Sequence, residues 1–151
     1  MNFMPDEKFV LLCQRWVDSR NRMKGDPKHD QGIMEGLFDI NNISGLVSIW
    51  SCEGHPDRAK GRTPVGYIML GVRNQAGLDA LFAIYERLRD SMGSNQHHVK
   101  LTATSRVDGT VSMGEAEEEQ WWPVWILNWP VFKEGREEYL QKVNNAIKGV
   151  I

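Results

Sequence analysis

The segment VGYIMLGVRNQAGLDALFAIYERLRD, residues 65–90, changes its hydrophobic period in the middle and decides the fold. Its first part, 65–72, is an apolar run of the length that a buried strand needs. From 75 to 90, apolar side chains recur at helical spacing, and these are Leu78, Leu81, Phe82, Tyr85 and Leu88. Asn74 stands where a helix N-cap is expected. The segment therefore predicts a strand that leads directly into a helix.

The segments on either side extend this pattern to two strand-strand-helix units. Residues 46–51 predict a strand before it, and residues 98–107 alternate apolar and polar side chains as a half-exposed strand does. The apolar run 121–129 contains Pro123, which argues for a strand rather than a helix. Residues 134–148 predict the last helix. The order ββαββα indicates an α+β domain with a four-stranded, antiparallel-rich sheet.

The order of the strands in this sheet follows from their two faces. The second and fourth predicted strands, 65–72 and 121–129, carry apolar side chains on both faces, whereas the third has one polar face. Strands that are apolar on both faces belong in the middle of a sheet. This favours the order 3-4-2-1, a rearranged ferredoxin-like sheet. Pro123 conflicts with a central strand unless it lies near the start of that strand.

An N-terminal helical segment, 1–44, precedes the ββαββα body, 45–151, and the two together predict a single domain. Residues 6–23 are amphipathic at helical spacing, and 31–40 predict a second, shorter helix. The helices of the body cover one face of the sheet. The other face then needs a cover, which is the N-terminal helix, a second copy of the chain or another protein.

Composition excludes several classes of protein. The net charge of −2 gives no field that attracts nucleic acid or an anionic membrane, and the longest charge-free runs are too short to span a bilayer. The two cysteines form no disulfide framework, which indicates free thiols in a reducing, cytoplasmic compartment. Nucleic acid and membranes are therefore not expected as partners.

The loop 52–62 holds the first group of candidate site residues. Cys52 and His55 have half of a zinc-ligand spacing, or stand as a nucleophile and its base, but neither a complete ligand set nor an orienting third residue follows. No metal, cofactor or catalytic residue is therefore predicted. Arg58, Lys60 and Arg62 surround Gly61, and such a loop suits an anionic small ligand or nucleotide. The alternative is a solvated hairpin loop.

Tryptophan is the second candidate. Four of the six tryptophans fall within residues 121–129. Trp121, Trp125 and Trp129 stand at even spacing, so a strand directs all three to one face. Trp is favoured at interfaces, and these three residues are therefore predicted to form either an interface or a surface that another element of the chain covers.

The segment from Trp50 to Met69 resembles small proteins encoded by phages and bacteria. They carry a Cys-x-Gly-His turn, here Cys52-Glu53-Gly54-His55, before a strand that contains a tyrosine, here Tyr67. The resemblance implies no activity. It implies a phage-type accessory or inhibitor protein, a class in which binding is commoner than catalysis.

The sequence thus predicts a small non-enzymatic binding protein that acts through an aromatic surface, as a homo-oligomer or against a host protein. The alternative is a protein that binds an anionic small ligand or nucleotide through loop 52–62. A metal- or thiol-dependent enzyme is the third hypothesis.

Overall fold

The computed structural model describes residues 3–26, 31–58, 64–104 and 122–151, and it confirms the α+β class and the ββαββα order. Short 3-10 helices lie at 31–33, 56–58 and 93–98. The helices and strands are α1 (Asp6–Lys24), α2 (Met34–Ile40), β1 (Leu46–Cys52), β2 (Val65–Val72), α3 (Gln75–Ser91), β3 (Lys100–Thr104), β4 (Val124–Pro130) and α4 (Arg136–Lys148).

The four strands form one antiparallel sheet in the order β1-β2-β4-β3. The central positions thus belong to β2 and β4, the strands whose two faces are both apolar. Pro123 lies before β4 and needs no ladder hydrogen bond, because the strand begins at Val124 rather than at the predicted 121. Because β4 starts after Pro123, the proline does not conflict with a central position for this strand.

Helices pack on both faces of the sheet. On one face, α2, α3 and α4 enclose the main core, to which β4 contributes Leu127 and Trp129. On the other face, α1 encloses a smaller core with Phe9 and Leu12 over Val47 of β1 and Val124 of β4. The N-terminal helix therefore covers part of the second sheet face, as one of the three alternatives predicted.

The start of α3 is fixed by the predicted cap. The Asn74 side chain accepts a hydrogen bond from the Gly77 N–H at 2.9 Å, which satisfies a donor that the helix itself leaves without a partner. Its backbone is extended, as at most N-cap positions. The cap holds the strand-to-helix junction between β2 and α3.

Replacing Asn74 with alanine should destabilise the domain by about 1 kcal/mol, since the Gly77 N–H loses its acceptor. Asn74→Ser, which retains an acceptor at the same place, should lose much less. Urea unfolding of the two variants measures the difference. Equal stability of both variants would show that the cap contributes nothing.

Candidate functional site

The loop that follows β1 is held in place by one of its own side chains, that of Glu53. The Glu53 side chain is 11% exposed, and it accepts hydrogen bonds from the Gly32 N–H at 2.7 Å and from the Arg136 guanidinium. Gly54, the next residue, has a φ of 97° and packs against Val131. The backbone turns there in a conformation that favours glycine. This part of the predicted site is therefore a structural junction.

The structure places Cys52 at the end of β1, opposite Tyr67, and His55 in the loop beyond it, both half-buried. His97 and His98 precede β3, at the other edge of the sheet. Three strand spacings, about 14 Å, separate the two edges. Within the described residues, no three side chains among His, Cys, Asp and Glu come together as a metal site would require.

The predicted anion site lies mostly beyond what the structure describes. Lys60 and Arg62 fall outside the described residues, and Arg58 ends the short turn 56–58. The prediction that these three cations hold an anionic ligand is therefore unchanged by the structure.

The tryptophans of strand β4 face the main core. Trp129 is 0% exposed, and Trp125 is half-buried with its ring 5.8 Å from that of Phe82 on α3, while Trp121 lies outside the described residues. For Trp129 the predicted interface is therefore wrong, because its side chain is enclosed by the chain's own helices. As their even spacing predicted, Trp125 and Trp129 lie on one face of the sheet. That face is the one that the thicker layer of helices covers.

A different surface emerges on the opposite face of the sheet, which we call the open face. The strand register aligns two rows of side chains across it. One row consists of Trp50, Met69, Ile126 and Thr102, and the other of Cys52, Tyr67, Asn128 and Lys100.

The open face is apolar in the middle and polar at the side of β3. Tyr67, Met69 and Ile126 are half-buried, whereas Lys100 and Thr102 are exposed. Trp50 is 44% exposed at the other side. The helix α1 packs further along the sheet, over Val47 and Val124, and Met69 lies against the core that α1 encloses.

Trp50 joins the open face to a groove beside α1. The Arg15 guanidinium lies 4.7 Å from the centre of the Trp50 ring, a cation-π contact that holds both side chains in place. Residues of α1, α2 and β1 line a groove of about 670 Å³ that includes both side chains. A volume of this size is typical of binding sites.

The Cys13 thiol and the His98 imidazole point to packing rather than to chemistry. Burial raises the pKa of the Cys13 thiol despite the charge of Arg73, so this thiol is protonated at neutral pH. Burial, together with the nearby His97 and Lys100, lowers the pKa of His98. The neutral His98 ring packs edge-on against Phe132. Neither group has the environment of an activated nucleophile or base.

Comparison with known proteins gives no significant match to a protein-family model, a curated protein or a solved structure. The resemblance of residues 50–69 to small phage and bacterial proteins therefore stays a prediction. Within the described residues, no helix combines the length and the apolar character that a membrane crossing requires.

Proposed function

We propose that this chain is a non-enzymatic binding protein that holds another protein against the open face. The observation that carries the proposal is the apolar centre of this face, Tyr67, Met69 and Ile126, with the half-exposed Trp50 beside it. The polar side chains of Thr102 and Lys100 on β3 border this centre. An apolar core within a polar rim, with an aromatic anchor, is the usual anatomy of a protein interface.

Charge favours a different protein over a second copy. The charged side chains at the two sides of the open face are both cationic, Lys100 on β3 and Arg15 above Trp50. Among the described residues, two copies that meet through this face would bring these cations toward each other. A partner with an apolar centre and an acidic rim complements both features.

Reversing the charge at Lys100 tests this assignment. A photo-reactive side chain at Thr102 identifies the protein that contacts the face in cells, and the purified pair then gives a dissociation constant. Lys100→Glu should weaken this binding by about tenfold, since it places an acid against an acidic rim. Arg89→Glu, on the exposed side of α3, is the matched control and should change nothing.

Two results would contradict the proposal. One is a native mass spectrum in which the chain forms a dimer that Trp50→Ala dissociates, because the occupant of the face is then a second copy. The other is a partner that binds wild type and Lys100→Glu equally well. Both variants alter exposed side chains, so the fold should remain intact in each.

A further inference from the structure

The groove beside α1 runs along the free edge of the sheet. In the part of the chain that the structure describes, strand β1 is the first strand in the order β1-β2-β4-β3 and pairs with β2 alone. Residues 48–51 of this strand form part of the groove lining, and α1 and α2 supply the rest. An edge strand presents backbone N–H and C=O groups that another extended chain can pair with.

One end of this edge is already capped. The Asn41 side chain accepts from the Ser48 N–H at 3.0 Å and donates to the Ser48 hydroxyl at 2.8 Å. A β-bulge between Ser48 and Trp50 follows directly. Pairing with a further strand would therefore use the edge beyond Ser48, from Ile49 to Ser51.

The floor of the groove suits an apolar side chain. Leu12 and Trp16 from α1, with Met34 and Leu37 from α2, line the groove and are buried beneath it. Side chains on a strand alternate between its two faces. One apolar residue of an added strand would thus point to this floor, and its neighbours would point away from it.

The mouth of the groove is positively charged. Arg15 and Arg22 both line it, and the Trp50 ring supports the Arg15 guanidinium. The one acid in the lining, Asp18, accepts a hydrogen bond from the Gln14 amide at 2.8 Å. The lining therefore has an excess of one cation, and guanidinium groups pair well with carboxylates.

From these four features we infer that the groove binds an extended segment of a partner protein, which pairs with the free edge of β1. The segment carries an apolar residue for the floor and an acidic residue for Arg15 or Arg22. Addition of a strand to a sheet edge beside a helix is an established mode of peptide recognition. The inference rests on the proposed function, because Trp50 makes the groove continuous with the open face.

Selection of short random peptides displayed on phage against the full chain tests the inference. The enriched peptides should combine a large apolar residue with an aspartate or glutamate. In hydrogen exchange followed by NMR, peptide binding should protect backbone amides between Ile49 and Ser51, because a paired strand takes up those groups. Protection confined to other residues, as with a peptide that binds as a helix, would overturn the inference.

The arginines give a second, independent readout. Replacing Arg15 and Arg22 together with alanine should weaken peptide binding by about tenfold or more, since the acidic residue of the peptide then has neither guanidinium to pair with. The control replaces Arg20 of α1 and Arg89 of α3, which lie outside the groove lining. Equal loss in both double variants would overturn the inference.

The same peptides separate this inference from the proposed function. Lys100→Glu lies on the open face and should leave peptide binding unchanged. If the enriched peptides instead lose affinity in Lys100→Glu, they occupy the open face, and the groove assignment is wrong while the proposed function stands.

Discussion

Replacing Glu53 with alanine should destabilise the domain by about 3 kcal/mol, the lower end of the range for breaking a buried ion pair. The carboxylate joins the loop after β1 to the Gly32 N–H and to Arg136 at the start of α4. Its removal leaves a donor without an acceptor and a guanidinium without its counter-charge. The loss stays at the lower end because the Arg136 side chain is 34% exposed and water can solvate it.

Two further variants separate the charge from the hydrogen bonds. Glu53→Gln retains an acceptor for the Gly32 N–H and should lose less than Glu53→Ala. Glu138→Ala removes an exposed acid that lies 3.6 Å from Lys142, and it should cost less than about 0.5 kcal/mol. Urea unfolding measures all three. A cost for Glu53→Ala no larger than that for Glu138→Ala would contradict the role of Glu53 as an anchor.

The sequence could not reveal this role of Glu53, because the partners lie 21 and 83 positions away along the chain. Next to Cys52 and His55, the glutamate looked like part of a polar turn. A local pattern reports what a residue does within its own helix or strand. The cap at Asn74 was predictable for that reason, since its acceptor and its donor lie three residues apart.

The position of Trp50 on the open face could not be predicted, because β1 contains a bulge. Strict alternation along the strand puts Val47 and Ile49 on one face and Trp50 on the other. The extra residue between Ser48 and Trp50 shifts the register, so that Trp50 lies beside Met69 on the α1 side. No residue type in this stretch marks the bulge, and the sequence therefore directs Trp50 to the wrong face.

The central position of β2 and β4 was predictable, because apolar side chains on both faces require covering on both sides. Which face receives the thicker layer of helices was not predictable. The packing of α2, α3 and α4 decides that Trp129 is enclosed, and these contacts join residues far apart in the chain. The predicted interface at Trp129 failed at this step.

Substitutions in β4 should therefore separate core from surface. Trp129→Ala should destabilise the domain by about 4 kcal/mol, because the side chain is fully buried and its removal leaves a cavity. Trp125→Ala should cost about 1 kcal/mol, since that ring is only half-buried against Phe82. Chemical unfolding, with circular dichroism as the signal, compares the two variants.

Trp129→Phe identifies what the indole contributes. Within the described atoms, the buried Trp129 Nε1 has no hydrogen-bond acceptor, so phenylalanine gives up volume but no hydrogen bond. Its cost should lie well below that of alanine. The indole also packs directly on Gly66, where any Cβ would overlap it, so Gly66→Ala should destabilise wild type more than it destabilises Trp129→Phe. Additive costs in this double-mutant cycle would contradict the packing of Trp129 on β2.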